Sequence, residues 1–402
     1  MSVEASLRSP ALPARGGFAA TAGWGVYCAC SWTWCIGMFL PVILLGRFGW
    51  AGFLAFAIPN LIGCVGFGYV FDADRSRRFA TAHPLAIRWF SLATIAFQVF
   101  FIGWTSGMFV FAPDAATAAA ADPAEAGVAG DVLIWPVLGV ILTWTAGAAA
   151  VSARGDLFWR WFAVLAAVTS GVLFVLALGR TGGLPTGAAP ENAASVAGII
   201  PLMLLGFLAC PALDATFHRA RQQAPSRHAF AVFGVVFAMM LVFAATTYDG
   251  LDPDRILRAL LPLAIAQWTL QLVFTIGAHI RELAVLPSGR LGRGASLFAA
   301  IAVGAVLGLP GIADERMYLL FLGLYAVPFP MYVIAAAING PERPLSARWI
   351  VTTLLVSLAV SPLGWLGFIE NRTLFLLPLA ALTAVAGWIM GRMARRRSIV
   401  DA

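Results

Sequence analysis

The chain has 402 residues, of which 61% are hydrophobic and only 11% are charged, with a mean hydropathy of +0.87. Soluble domains carry about 25% charged residues, so this chain has too few ionic groups to cover a surface in water. We expect an all-α integral membrane protein, because helices satisfy their own backbone hydrogen bonds in lipid. The net charge of +7 is typical of arginine-rich cytoplasmic loops and does not indicate nucleic-acid binding.

Twelve apolar segments are long enough to cross a bilayer, which takes about 20 helical residues. We therefore predict about twelve transmembrane helices in a single transmembrane domain, 1–402. In chain order the predicted spans are 22–45, 50–70, 88–111, 132–151, 158–178, 195–217, 229–247, 257–280, 295–312, 317–338, 349–368 and 374–393.

The arginines are distributed unevenly between the two ends of these spans. When the N-terminus is placed in the cytoplasm, 20 of the 26 arginines fall in cytoplasmic segments and 6 in outer segments. Cytoplasmic loops accumulate basic residues. We therefore predict that both termini are cytoplasmic and that the protein lies in the cytoplasmic (inner or plasma) membrane.

The sequence shows no pattern typical of catalysis or of a resident metal. All five cysteines fall in apolar segments, and the four histidines lie at predicted helix ends without metal-ligand spacing. Paired intramembrane carboxylates, a Ser-His-Asp arrangement and a phosphate-binding glycine loop are all missing. We expect no enzymatic activity, no metal and no cofactor. The partners that remain are the lipid bilayer and a small solute, since the sequence identifies no protein partner.

The first predicted span combines small, hydroxyl and aromatic residues with a helix-breaking pair. Pro41 removes a helical hydrogen bond and clashes with the preceding turn, in which Gly37 lies. The pair predicts a break or kink near 33–38, where freed backbone groups could bind a cation or a carboxylate. The alternative is an ordinary kinked helix with small residues for close packing. The polar and aromatic residues before the break are Tyr27, Ser31, Trp32, Thr33 and Trp34.

The sixth predicted span carries a second signal of interruption. Pro211 follows Gly206, and Asp214 lies one turn further on. A carboxylate within a membrane is costly and usually functional, so Asp214 could bind a proton or a cation. Three basic residues follow within two turns, in 218–221. We favour the interpretation that Asp214 pairs with them at the cytoplasmic interface.

Further polar residues lie inside other predicted spans. Gln98 is in the third span, and Gln267 and Gln271 share a helix face in the eighth, four residues apart. Thr269 lies between them, and Thr275 follows Gln271 by four residues. Such residues usually form hydrogen bonds between helices.

The stretches from Ser31 to Pro41, from Gly49 to Asn60 and from Gly206 to Asp214 resemble the amino acid–polyamine–organocation superfamily. This superfamily has the leucine-transporter fold, and the sodium:solute symporters are the branch that the sequence resembles most. The resemblance implies a 5+5 inverted repeat, 22–178 and 195–338, with two appended helices in 349–393. It also implies that the interrupted first helices of the two repeats lie together at the membrane midplane.

The resemblance further implies which residues bind solute and ion. The substrate-binding set is Tyr27, Ser31, Trp32, Trp34, Gly37, Gln98, Gly206 and Cys210. The ion-coupling set, for sodium or a proton, is Thr33, Asp214, Thr269 and Thr275. Sodium sites in such proteins often use neighbouring hydroxyls on the eighth helix, and Thr269 and Thr275 depart from that pattern because they are not neighbours.

The expected function is therefore secondary active transport, as a cation- or proton-coupled symporter of a small organic solute that works by alternating access. A major-facilitator-type transporter is an alternative, because the segment 72–78 resembles the Asp/Arg-rich loop of that family. It lacks the glycine expected between the basic residues, and we prefer to interpret it as a positive-inside anchor. A membrane sensor or scaffold that does not transport is the third hypothesis.

Overall fold

The computed structural model describes residues 17–33, 35–111, 123–187, 193–247, 253–287 and 292–400. Within these ranges the regular structure is entirely helical. Ten of the described helices are long and apolar enough to cross a membrane. The prediction of an all-α, multi-pass integral membrane protein is thus confirmed.

Fifteen α-helices make up the described part of the chain, several of them extended by short π- or 3-10-helical turns. They are α1 (Phe18–Trp32), α2 (Cys35–Val70), α3 (Ala73–Ala82), α4 (Pro84–Thr105), α5 (Pro123–Ser152), α6 (Asp156–Thr181), α7 (Ala193–Ala209), α8 (Ala215–Gln223), α9 (Ala229–Thr247), α10 (Pro253–Val285), α11 (Arg293–Leu307), α12 (Glu315–Ala326), α13 (Pro328–Asn339), α14 (Ala347–Gly364) and α15 (Leu376–Val400).

Gly49 divides α2 into two helical parts. Its dihedral angles, φ 61° and ψ −162°, lie outside the helical region and are accessible to glycine, which lacks a Cβ. The predicted spans 22–45 and 50–70 counted these parts separately, and they also counted α11, which has 15 residues. For these two reasons the twelve predicted spans outnumber the ten helices that meet the length criterion within the described ranges.

The predicted span 317–338 is two helices and not one. Helix α12 ends at Ala326, and α13 begins at Pro328. Val327 between them has φ −124° and ψ −72°, because the ring of a proline disfavours helical geometry in the residue before it. The proline itself fits the first position of a new helix, where its missing N–H is not needed.

Helix α4 lies at the centre of the molecule, and α14 lies at its periphery. Among the candidate spans, α4 has the largest buried share and α14 the smallest. Large apolar side chains such as Leu355 and Leu358 of α14 and Val168 of α6 are exposed, as expected for surfaces that face lipid chains. Polar residues on α4 are therefore in the protein interior and away from lipid.

Glycines allow several helices to cross at close range. A Cβ on Gly63 of α2 would lie 2.0 Å from the carbonyl oxygen of Phe207 on α7, which is well inside van der Waals contact. Small residues at such crossings let two backbones approach, which is how membrane helices gain packing energy. Gly66, one turn further along α2, has no heavy atom within 4 Å of its Cβ position.

These two glycines provide a matched test of the packing. We expect Gly63→Ala to lower the free energy of unfolding by about 1–3 kcal/mol, because the new methyl group forces the α2–α7 crossing apart. Gly66→Ala should be neutral or slightly stabilising, because alanine is the better helix former. Denaturation of the purified protein in detergent measures both. Equal effects of the two substitutions would contradict the crossing.

Candidate functional site

The first interruption lies between α1 and α2. Helix α1 ends at Trp32 and α2 begins at Cys35. Thr33 ends the helix by donating its N–H (2.8 Å) and its hydroxyl (2.7 Å) to the Ala29 carbonyl. Trp34, one of the predicted solute ligands, lies outside the described residues.

The interruption lies at the start of the predicted stretch 33–38 and before Gly37 and Pro41, which were predicted to cause it. Both are helical residues within α2. Pro41 is the seventh residue of the new helix and removes a single bond, the one to the Gly37 carbonyl. Gly37 is not an unwound residue; a Cβ there would lie 3.3 Å from the ring of Phe237, so its small size serves packing.

The second interruption lies between α7 and α8. Helix α7 ends at Ala209, a 3-10 turn covers Cys210–Leu213, and Asp214 adopts an extended conformation before α8. Asp214 caps α8, because its Oδ1 accepts the Thr216 N–H at 2.7 Å. The break predicted around Pro211 is therefore present, one turn beyond Gly206.

A chain of hydroxyl groups joins the two interruptions. The Thr216 hydroxyl lies 2.9 Å from Ser31 Oγ and 2.7 Å from Asp214 Oδ1. Ser31 in turn donates to the Cys28 carbonyl at 3.0 Å. Asp214 is fully buried, and its Oδ2 has no hydrogen-bond partner among the described residues. The ends of α1 and α8 thus meet at a buried carboxyl group in the middle of the helix bundle.

The expected pairing of Asp214 with the basic residues that follow it is wrong. Arg219 pairs instead with Glu282 of α10 and, at 3.5 Å, with Asp156 of α6. Arg221 donates to the Phe71 carbonyl at 2.6 Å. The turn of α8 carries these side chains away from its capping residue, so the carboxyl stays in the interior.

Helix α10 contacts the end of α1 through two side chains that share one face. Gln271 donates its amide N–H to the Cys30 carbonyl, and the Thr275 hydroxyl lies 3.4 Å from the same oxygen. Thr269 lies off this face and donates to the Ile265 carbonyl of its own helix at 2.7 Å. Of the two α10 threonines predicted to bind an ion, the structure brings only Thr275 to the interruption.

Aromatic rings surround the last residue of α1. Trp32 donates its indole N–H to Asn60 Oδ1 of α2 at 2.7 Å. Its ring lies 5.0 Å from the ring of Phe217 and is stacked with that of Phe90, 6.4 Å away between centroids. Asn60 thereby fixes the Trp32 side chain, a role that the sequence did not reveal.

Two predicted solute ligands are buried with unsatisfied polar groups. Neither amide atom of Gln98 on α4 has a hydrogen-bond partner in the described ranges, and neither has the Tyr27 hydroxyl on α1. Ser91, seven residues before Gln98, lies 3.2 Å from His279 of α10. Residues seven apart share a helix face, so Gln98 also faces α10, at about the height of Gln271. The Gln271 Oε1 likewise has no hydrogen-bond partner among the described residues.

Gly206 and Cys210 contact α12. Cys210 donates to the Tyr325 carbonyl at 3.3 Å. A Cβ on Gly206 would lie 3.0 Å from the same oxygen. A small cavity of about 30 Å³ separates α2, α7 and α12 here, lined by Gly206, Tyr325, Ile36 and Leu40 among others.

Ion pairs lie on both sides of the interruptions. On the predicted outer side, Arg47 of α2 pairs with Glu315 of α12 and donates to the Phe368 carbonyl at 3.2 Å. On the predicted cytoplasmic side, Arg219 and Arg281 share Asp156, and Arg219 also pairs with Glu282. The latter network joins α6, α8 and α10.

Sequence reasoning missed Thr216 and Glu282. Thr216 follows Asp214 by two residues, a spacing at which an N-capping acid and the next hydroxyl can bond, and this signal was available. Glu282 and Arg219 are 63 positions apart, so nothing local indicates that pair. Among the described residues, no group of three His, Cys, Asp or Glu side chains is placed to hold a metal.

The hydroxyl link can be tested with two threonine-to-valine substitutions. We expect Thr216→Val to lower the free energy of unfolding by about 1–3 kcal/mol, because it removes a buried hydrogen bond between the interruptions. Thr269→Val, whose hydroxyl bonds its own helix, should change stability by less than about 0.5 kcal/mol. Thermal unfolding in detergent separates these outcomes. A Thr216→Val protein as stable as the wild type would refute the link.

Comparison with solved structures identifies a fold. No protein-family model and no curated protein matches the sequence. A solved structure described as the inward facing conformation of Mhp1 is similar, with a TM-score of 0.55 and 14% identity, over 95% of this chain and 91% of that one. The likeness shows that the chain has the leucine-transporter fold.

Proposed function

We propose that the protein is a secondary active transporter that carries a small organic solute by alternating access and is coupled to a cation or a proton. Its twelve spans are arranged as a 5+5 inverted repeat with two appended helices, in the cytoplasmic membrane and with both termini inside. One observation carries the proposal: the interrupted helices α1–α2 and α7–α8 meet in the interior through Ser31 and Thr216.

The two interruptions support the repeat. In chain order they fall in the first and the sixth span, five spans apart, and each consists of two half-helices around a short non-helical stretch. Helix ends inside a bilayer expose backbone groups that can bind polar ligands. A pair of such ends in contact is typical of a solute site shared between two repeats.

Buried polar groups without partners support a solute site beside the interruptions. Tyr27, Gln98 and Gln271 provide hydroxyl and amide atoms that no described residue satisfies. A buried polar group without a hydrogen bond costs about 1–3 kcal/mol, and a bound polar solute would remove that cost. These three groups are neutral, which favours a solute without net charge where it contacts them.

The two ion-pair clusters support alternating access. Arg47–Glu315 lies on one side of the interruptions and Arg219–Glu282 on the other, and we propose that each pair closes its side of the solute site. Transport by alternating access requires that one closure opens while the other stays shut. The Arg47–Glu315 pair is partly exposed and contributes about 1 kcal/mol or less, so thermal motion can open it. The Arg219–Glu282 pair is largely buried, so its opening also requires that water reach both charges.

The fold distinguishes between the two alternative functions. A leucine-transporter fold is not the six-plus-six architecture of the major facilitator family, so the resemblance of the segment 72–78 to a loop of that family reflects its positive charge alone. A sensor built on the same fold remains the second candidate. It would bind solute with the same groups and would not move it across the bilayer.

Reconstitution into liposomes distinguishes these functions. We expect a panel of small uncharged organic solutes to include one that accumulates when a pH or sodium gradient is imposed. Ser31→Leu should abolish this uptake, because the larger side chain displaces the Thr216 contact. The control is Ser361→Leu on the exposed face of α14, which should transport normally. Binding without flux would indicate a sensor, and intact uptake in Ser31→Leu would remove the site from α1.

The outer closure makes a second prediction, which needs no solute. Neutralising Arg47 or Glu315 should speed alkylation of Cys210 by a membrane-impermeant maleimide added from outside. If the ion pair contributes about 1 kcal/mol to closure, the rate should rise about fivefold. The swapped pair, Arg47→Glu with Glu315→Arg, should restore slow labelling.

Arg372→Gln is the matched control for the outer closure. It removes an exposed arginine that pairs with Glu370 at 3.5 Å, close to the Phe368 carbonyl that Arg47 contacts. Its labelling rate should equal that of the wild type, with the modified cysteine identified by mass spectrometry. Equal rates in Arg47→Gln, Arg372→Gln and the wild type would show that the Arg47–Glu315 pair closes no pathway.

A further inference from the structure

We infer that the coupling ion is a proton and that Asp214 carries it, as a protonated carboxylic acid in the conformation of this structure. The inference rests on the proposed function, because a bound proton is a coupling ion only if the protein transports a solute. The proton itself can be tested without a solute.

The hydroxyl chain contains more contacts than the two hydroxyl groups have protons. Ser31 donates its proton to the Cys28 carbonyl, whereas Thr216 has one proton for two acceptors, Ser31 Oγ and Asp214 Oδ1. We assign the Thr216 proton to Ser31, which leaves the 2.7 Å contact between Thr216 Oγ1 and Asp214 Oδ1 without a hydrogen. Two oxygens at that distance need a hydrogen between them. A proton on Asp214 supplies it and completes the chain.

Among the described residues, no cationic side chain bonds to Asp214 to stabilise a negative charge on it. The titratable side chains that interact with it are thiols and a phenol: Cys28 on α1, Cys64 on α2, Cys210 beside it, and Tyr325 on α12. None of these is cationic. On α8, Arg219 and Arg221 bond elsewhere, and His218 bonds the Ala212 carbonyl and Ser76.

The N-terminus of α8 does not remove the cost of a charge here. Its backbone faces the carboxyl group through the Thr216 N–H, which donates to Oδ1, and through the Phe217 N–H. Oδ2 is nevertheless buried and has no hydrogen-bond partner in the described part of the chain. An unpaired charge at such a position costs several kcal/mol. Addition of a proton neutralises the group, and its release requires a conformation that admits water or a cation.

The same surroundings are poor for a metal cation. Hard cations such as sodium bind to several oxygens, whereas three of the side chains around Asp214 are thiols. The Cys30 carbonyl at the end of α1 already accepts from Gln271 and lies 3.4 Å from the Thr275 hydroxyl. The Ala29 carbonyl accepts twice from Thr33. The oxygens that a cation would need at this helix end are bonded to the protein.

Alternating access would couple proton and solute through the hydroxyl chain. The proton on Asp214 completes the link between α8 and α1, so loading it favours the conformation in which the two half-helices meet. Its loss leaves the carboxylate and the Thr216 hydroxyl to reorganise, and the link to Ser31 weakens. The carboxyl group thereby senses the proton and moves the elements that we propose to bind solute.

Infrared difference spectroscopy of the purified protein in lipid tests the proton directly. We expect a C=O stretching band of a protonated carboxyl group that disappears on titration to alkaline pH. The band should be lost in Asp214→Asn and retained in Asp74→Asn, which removes an exposed carboxyl group on α3. Sodium in place of potassium should leave the titration unchanged.

Thr216→Val provides the second variant, which keeps the carboxyl group. Its band should shift in frequency, because the acceptor of the carboxyl hydrogen bond is gone. A wild-type protein without the band, a band that persists in Asp214→Asn, an unshifted band in folded Thr216→Val, or displacement of the proton by sodium would each overturn the inference. A protein that binds this proton but moves no solute would instead refute the proposed function.

Discussion

The organisation of this protein depends on one constraint, which is that backbone groups freed inside a membrane must find partners. Two helices end in the interior, and each would leave several carbonyl or N–H groups unsatisfied. The structure satisfies them locally and between elements: Thr33 covers the Ala29 carbonyl, Gln271 covers that of Cys30, and Asp214 receives the N–H of Thr216. The breaks in the helices therefore explain why polar residues of α10 and α8 lie at these positions.

This constraint explains why polar residues gather in a chain that is otherwise apolar. The partners of the broken ends are side chains, and side chains can rearrange, whereas a continuous helix cannot release its hydrogen bonds without unfolding. The hydrogen bonds that join Ser31, Thr216 and Asp214 can thus form and break while α1 and α8 stay helical. A bundle of uninterrupted helices would have no comparable element in its interior.

The sequence predicted the class of fold well and the location of its breaks less well. Hydropathy identified the spans; α9 has the same bounds as the prediction, 229–247. Pro41 and Gly37 indicated an interrupted first span, yet both are helical, since a proline in the second turn of a new helix removes only one bond. Pro328 does begin a helix, because an N–H at the first helical position would have no partner within the helix. The same residue type has different effects at different helix positions, and only the tertiary structure decides which applies.

The hydrogen-bond partners of Asp214 could not be predicted from the residues next to it in the sequence. Its neighbours in the chain are basic, and an exposed pair with them was the economical interpretation. In the structure Arg219 pairs with acids that are distant in sequence, Glu282 on α10 and Asp156 on α6, and Arg221 donates to the Phe71 carbonyl. Each arginine that bonds elsewhere leaves the carboxyl group with one cation fewer, so the ion-pair network of α6, α8 and α10 and the absence of a counter-charge beside Asp214 arise from the same set of contacts. Arg219 lies on α8, five residues after Asp214, which caps the same helix. A movement of α8 that breaks the ion pairs of Arg219 therefore also moves the carboxyl group, so the ion-pair network and the charge state of Asp214 are linked through α8.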